Sequence, residues 1–286
     1  MFFSICKATA KTLFRAKTFW LALAILLIFV CHEIISITHQ SYSYELGQVV
    51  DQGHPLFVFS YRTYIQKCIG VLQNLLHYPI PIFTVIVTAL ILNRDYQDNF
   101  FELEKSRGIK ARQYVFARLT TASFICFVIT IIFCFVYFHG QVIPMLDCDE
   151  MSTEEYFCDS TIRLLRHAFA TVPPCIIFYV CATYCAGVLL KSGIGAAVIG
   201  FAYIIFCYLW DMFNVANTGV FLEYLRPSSP LKLIYFAYYY DTEWFEWMKE
   251  TFHTSFDKAA ICWFFLLGIS TASALISAYM IRKRTV

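Results

Sequence analysis

Four long apolar runs without a charged residue constrain this chain more than any other feature. Each is 19 to 23 residues long and contains no Asp, Glu, Lys or Arg: Leu119–Phe138, Ala168–Leu190, Ser192–Trp210 and Ala259–Ile281. A hydrocarbon core about 30 Å thick is crossed by a helix of about 20 apolar residues. The composition agrees, since 59% of the residues are hydrophobic and 15% are charged, against about 25% charged in soluble domains. The sequence therefore predicts an integral membrane protein.

Two further apolar runs bring the predicted number of spans to six. The first is interrupted only near its far end, by His32 and Glu33, and the other opens with Pro79 and Pro81. We expect an all-α integral membrane fold, with residues 1–286 forming a single transmembrane domain. The predicted spans are about 19–38, 76–92, 119–138, 168–190, 192–210 and 259–281.

The distribution of Lys and Arg predicts the orientation of the chain. Fourteen of the 22 lie in the N-terminal tail, in the loops between spans two and three and between spans four and five, and after the last span. Basic residues in loops are retained on the cytoplasmic side. We therefore expect a multi-pass protein of the cell membrane with both termini in the cytoplasm and outer loops at about 39–75, 139–167 and 211–258. The net charge of only +2 argues against nucleic acid as a partner.

The N-terminal tail has the pattern of an amphipathic helix over residues 2–17. Basic residues recur every four positions on one face, and apolar residues occupy another: Lys7, Lys11 and Arg15, and Phe3, Ala10, Leu13 and Phe14, respectively. Such a helix is expected to lie in the plane of the inner membrane surface. The alternative is a basic flank that only sets the topology.

The loop between spans two and three predicts a second amphipathic helix, over 94–107. The polar positions Asp95, Asp98, Glu102 and Lys105 recur at steps of three and four residues, with Tyr96, Phe100 and Leu103 on the adjoining face. Gly108 is a natural helix stop. A charged helix between two spans suits docking against a cytoplasmic protein, although a merely solvated loop has the same pattern. The predicted contacts are Asp98, Phe100, Glu102, Leu103, Glu104, Lys105, Arg107 and Gly108.

Three features are expected on the outer side. Cys148 and Cys158 flank an acidic segment and are candidates for a local disulfide. The aromatic segment at about 220–255 is too short to cross, so it predicts a re-entrant or interfacial element before the last span. Ionisable or aromatic residues near the outer ends are candidates for a substrate path or gate: His32, Glu33, Asp211, Tyr235 and Tyr238. For the ionisable ones, snorkelling to the surface is the other interpretation.

The sequence contains no motif of a catalytic centre. It has no GxxxxGK[ST] phosphate loop, no HExxH and no paired CxxC, so we expect neither a metal site nor a cofactor on this chain. Glu154–Glu155 resemble the paired glutamates of intramembrane CAAX-type proteases. However, Asp159 stands where that motif has Arg, and the pair falls in a predicted outer loop. We therefore expect no catalysis by this chain alone.

The arrangement resembles the membrane subunits of ABC-2 type exporters. The segment NFFELEKSRGIKARQYVFARL is similar to that family's acidic amphipathic coupling helix, turn and basic helix leading into span three, although Gly108 and Arg118 stand where the family often has Pro and Lys. The resemblance implies two copies of a separate cytoplasmic ATPase, which would hold ATP and Mg, and a second permease half, the same chain or a homologous one. It also implies export, and the aromatic, weakly charged interior suits a peptide or an amphipathic lipid-like substrate.

Two other classes of function compete with this interpretation. One is a non-transporting membrane protein, such as an immunity or sensor protein that sequesters a peptide or lipid. The other is an intramembrane enzyme, which is disfavoured because no convergent set of nucleophile, base or metal ligands is visible in the sequence.

Overall fold

The computed structural model describes residues 2–32, 75–97, 99–146, 159–213, 227 and 256–284, and the regular structure in these ranges is α-helical throughout. The helices are α1 (Phe2–Arg15), α2 (Lys17–His32), α3 (Pro79–Gln97), α4 (Phe100–Ser106), α5 (Ala111–Leu146), α6 (Asp159–Leu190), α7 (Gly193–Phe213) and α8 (Phe256–Arg284). The all-α prediction is therefore confirmed for this part of the chain.

Three helical stretches are long and apolar enough to cross a membrane: Ala111–Val136, Ala170–Leu190 and Ala260–Lys283. They coincide with the third, fourth and sixth predicted spans. The pair of α1 and α2, bent by 69°, counts as a fourth span if it is taken as one unit, and α7 contains a shorter apolar stretch, Gly193–Leu209. The described residues thus form a membrane protein with three to four candidate spans.

Two helices run much farther than their apolar patterns predict. α5 has 36 residues and α6 has 32, which at the helical rise corresponds to roughly 54 and 48 Å. Consequently 139–146 and 159–167, which the sequence places in an outer loop, are helical. The apolar pattern does not indicate these extensions, because an apolar run marks the part of a helix that can lie in lipid, whereas the helix itself ends where backbone hydrogen bonding stops. Cys148 and Cys158 lie outside the described residues.

α6 is the centre of the bundle and packs against α3, α5, α7 and α8. Within its apolar stretch 67% of the residues are buried, against 28% for α8. Cys175, Cys181 and Cys185 are part of this core, where a cysteine packs as a small apolar residue. The outer faces of α5 and α8 expose large side chains such as Phe124 and Phe264, as expected for surfaces that contact lipid.

Glycines bring α7 unusually close to α3. A Cβ atom at Gly193 would lie 2.7 Å from the Ala89 carbonyl oxygen and the Asn93 backbone nitrogen, and one at Gly200 would lie 2.7 Å from a Val85 methyl group. Small residues allow this approach between membrane helices, where packing and not water exclusion drives association. The α3–α7 contact therefore requires glycine at both positions.

α1 buries one stripe of side chains, at Ile5, Thr9 and Leu13, against α5 and α3. The predicted helix is confirmed, and Lys7, Lys11 and Arg15 are exposed as expected. Phe3 and Phe14, which the pattern places on the apolar face, are exposed, because the stripe that packs on the bundle recurs every four residues at Ile5, Thr9 and Leu13 and includes neither phenylalanine. An elbow joins α1 to α2, where the Trp20 indole donates a hydrogen bond to the Phe14 carbonyl oxygen at 2.7 Å.

Candidate functional site

The segment predicted as a single helix over 94–107 is two pieces. α3 continues to Gln97, and Asn99 then adopts a positive φ of 48° before α4 begins at Phe100. Asn tolerates this left-handed conformation better than most residues, and it breaks the helical hydrogen-bond ladder. Gly108, with φ of 78°, ends the segment after α4 as predicted.

Asp95, which the pattern places on the outer polar face, is instead buried. Its carboxylate Oδ1 lies 2.5 Å from Nη2 of Arg118, and the two side chains are 1% and 5% exposed. The prediction of an outward-facing Asp95 was wrong because the helical period could not show that a cation from α5 lies opposite. A buried carboxylate is tolerated when it is paired and hydrogen-bonded in this way.

Arg118 also binds two neutral side chains. Its Nη1 donates to the Thr9 hydroxyl of α1 at 2.6 Å, and its Nε and Nη2 donate to the Tyr114 hydroxyl at 3.0 and 2.8 Å. We call Thr9, Asp95, Tyr114 and Arg118 the Arg118 cluster. Through one guanidinium group it connects α1, the end of α3 and the start of α5.

α4 packs on this cluster through two aromatic rings. The Phe100 ring centroid lies 5.2 Å from Cζ of Arg118, which is within the range of a cation–π contact. The Phe101 ring lies 5.2 Å from that of Tyr114 and 5.5 Å from that of Tyr96. The short helix is therefore attached to the bundle at the point where three other helices meet.

α6 contacts α3 and α5, the two helices that carry the ion pair of this cluster. The Tyr96 hydroxyl donates a hydrogen bond to the Gly187 carbonyl oxygen at 3.1 Å. Tyr184 of α6 is 1% exposed, and its hydroxyl has no hydrogen-bond partner among the described residues. The end of α3 that carries Asp95 is thus also bound to the central helix.

The structure assigns different surroundings to the predicted docking residues. Phe100 is half-buried, whereas Glu102, Arg107 and Gly108 are exposed. Asp98 lies outside the described residues, as do the side chains of Leu103, Glu104 and Lys105. The exposed surface of α4 that can be described is therefore polar, and its apolar residues Phe100 and Phe101 are turned to the bundle.

Most of the residues predicted to line a path or gate lie outside the residues that the structure describes. His32 is exposed at the end of α2. Asp211 lies in the last turn of α7, although its side chain is not among those described, and Glu33, Tyr235 and Tyr238 lie wholly outside the described residues. Within the described ranges, no three His, Cys, Asp or Glu side chains form a group that could hold a metal ion.

The Arg118 cluster was not predicted, because Asp95 and Arg118 were both interpreted as surface charges. A signal was present, since Asp95 closely follows one apolar run and Arg118 immediately precedes the next. Two helices joined by a short connection bring such ends together, and opposite charges there can pair. No protein-family model and no curated protein matches this sequence, so the functional inference rests on the chain's own residues and contacts.

Proposed function

We propose that this chain is the permease subunit of an ATP-driven exporter. In this proposal it has six spans with both termini in the cytoplasm, and it pairs with a second permease half that is the same chain or a homologous one. Two copies of a separate ATPase subunit, which hold ATP and Mg, bind at α4. The substrate is a peptide or an amphipathic lipid-like molecule.

The attachment of α4 to the Arg118 cluster is the observation that supports this proposal most. α4 exposes polar residues such as Glu102, while Phe100 stacks on the guanidinium that binds α1 and α3. A partner that moves α4 would therefore act on three other helices through a single buried group. Packed, hydrogen-bonded contacts of this kind transmit displacements because they change between discrete arrangements.

Nucleotide can act through this connection only if the ATPase binds α4 differently in its ATP-bound and free states. A conformational equilibrium shifts by the difference in affinity for its two states and by nothing else. The exposed charges of α4 are suited to such a difference, since charged contacts at the rim of an interface tune recognition more than they add affinity.

The test is purification of the full chain from its native membranes followed by photolabelling with an azido analogue of ATP. Glu102→Lys changes an exposed charge on α4 and leaves the Arg118 cluster intact, unlike a change of Phe100. Lys11→Glu is the matched control, because Lys11 is exposed on α1 away from α4. We expect a nucleotide-labelled polypeptide to copurify with the wild type and the control, and several-fold less of it with Glu102→Lys.

Two results would contradict the proposal. If Glu102→Lys retains the labelled polypeptide at the wild-type level, α4 is not its docking site. If no nucleotide-labelled polypeptide copurifies with the wild type, the chain is not powered by an ATPase, and a non-transporting sensor or immunity protein becomes the better interpretation.

A further inference from the structure

A polar cavity of about 250 Å³ lies beside the Arg118 cluster. We call it the elbow cavity, because it is enclosed by α1, the beginning of α2 and the last turns of α3. Its polar lining includes Thr9, Lys17, Asn93, Arg94, Asp95 and Arg118. The Arg118 cluster therefore forms one wall of a space that is large enough for a small polar group.

The charge lining the elbow cavity is positive. The carboxylate of Asp95 is paired with Arg118, whereas Lys17 and Arg94 form no ion pair with any described residue. Arg118 also has one unused donor. A guanidinium group has five N–H bonds, and that of Arg118 donates four hydrogen bonds: one from Nε, one from Nη1 and two from Nη2. The second N–H of Nη1 thus lacks an acceptor in the described part of the chain.

An apolar groove of about 320 Å³ adjoins this cavity. It runs between α2, α3 and α7, and its apolar lining includes Leu21, Ile25, Ile86, Ala89, Ile194 and Ala197. Thr18, Leu90 and Asn93 line both spaces. A positively charged cavity and an apolar groove are therefore neighbours that share part of their lining.

The junction lies where a membrane surface is expected. α3 is apolar up to Leu92 and becomes polar from Asn93 onward, and α1 departs from α2 by 69° at the same level. A change from apolar to polar residues along a helix of a membrane protein is typical of the boundary between hydrocarbon and headgroups. The cavity is thus at headgroup depth and the groove at the depth of the acyl chains.

We infer that the elbow cavity and the adjoining groove together bind one anionic phospholipid. Its phosphate lies among Lys17, Arg94 and the Nη1 N–H of Arg118 that has no acceptor among the described residues, and one acyl chain lies in the groove between α2, α3 and α7. Basic pockets between membrane helices recognise anionic headgroups, and hydrogen bonds from a guanidinium to a phosphate are among the stronger ones in proteins. This inference does not depend on an ATPase partner.

The experiment measures lipid binding to the full chain purified in a neutral detergent, with dioleoylphosphatidylglycerol as the probe. The cavity variant is Lys17→Gln with Arg94→Gln, and the matched control is Lys7→Gln with Lys11→Gln, two exposed basic residues of α1 that do not line the cavity. We expect binding about tenfold or more weaker in the cavity variant and unchanged in the control. Dioleoylphosphatidylcholine has no net charge, and its affinity for the wild type should be lower than that of the anionic lipid by a factor of about ten or more.

Two further arms distinguish a lipid from free phosphate. Inorganic phosphate should not displace the lipid at millimolar concentration, and Ile25→Trp, which fills the groove from an exposed position on α2, should weaken lipid binding several-fold while the thermal melting remains that of the wild type. Lys17→Gln alone should weaken lipid binding by a smaller factor. Because Lys17 is exposed, this substitution should not destabilise the fold. Equal losses in the control variant, equal binding of the two lipids, or displacement by phosphate alone would each overturn the inference.

Discussion

α3 makes two contacts of opposite kinds, one through polar side chains in the Arg118 cluster and one through close packing against glycines of α7. At its polar end, the Arg118 cluster joins helices through an ion pair and directed hydrogen bonds. Along its apolar part, the contact with α7 depends on missing side chains, since a Cβ at Gly193 or Gly200 would collide with α3. In lipid, apolar side chains gain little by leaving one apolar environment for another. Helix pairing must therefore be specified by polar groups or by shape, and α3 uses both.

The two contacts should respond to mutation in opposite ways. The Arg118 cluster is sensitive to the loss of one partner, because a buried charge is then left without its counterion. The α3–α7 contact is sensitive to the gain of a single methyl group, because atoms of α3 already occupy the space that a Cβ at Gly193 or Gly200 would need.

The largest effect is expected from Arg118→Met. It leaves the carboxylate of Asp95 buried without its cation, and breaking a buried pair in this way costs about 3 kcal/mol or more. We expect the free energy of unfolding in detergent to fall accordingly, and Arg118→Met combined with Asp95→Leu to recover most of it, because both charges are then absent. If the double variant is no more stable than Arg118→Met alone, the unpaired carboxylate of Asp95 is not the cause of the loss, which would contradict the importance of the ion pair.

A smaller effect is expected from Gly193→Ala. The new methyl group would lie 2.7 Å from backbone atoms of α3, and forcing helices apart in this manner costs about 1 to 3 kcal/mol. Gly268→Ala is the matched control, because a Cβ there meets no atom within 4 Å and alanine favours a helix over glycine by about 1 kcal/mol. The two variants should thus shift the melting temperature in opposite directions. Shifts in the same direction would contradict the close α3–α7 contact.

The smallest effect is expected from Phe100→Leu. Leucine preserves most of the apolar contact and removes the ring that stacks on Arg118, for a loss of about 0.5 to 1 kcal/mol. Phe124→Leu, on the exposed face of α5, should leave the free energy of unfolding unchanged. Equal losses in the two variants would assign the effect of Phe100 to general apolar burial and not to its contact with the guanidinium.

The features that could be predicted from the sequence are those encoded locally. Three spans follow from charge-free runs, the helix of the N-terminal tail follows from its periodic basic residues, and the stop at Gly108 follows from the backbone freedom of glycine. None of these requires knowledge of what packs against the segment.

The features that could not be predicted depend on tertiary neighbours. Asp95 and Arg118 are 23 positions apart, and their pairing appears only when α3 and α5 lie side by side. The break at Asn99 was hidden because asparagine permits a positive φ without requiring one. The elbow cavity is enclosed by residues of α1, α2, α3 and α5, together with Phe100 of α4, so no single stretch of sequence could reveal it.

The most direct test of the link between α4 and the bundle is a distance between spin labels on α4 and α1. Cysteines at Glu102 and Ala8, both exposed, would carry the labels in a background whose accessible native cysteines are replaced. We expect one narrow distance distribution with the Arg118 cluster intact, and a broad one when Arg118→Met and Asp95→Leu are combined. A narrow, unchanged distribution in that variant would show that the Arg118 cluster does not hold α4 to α1.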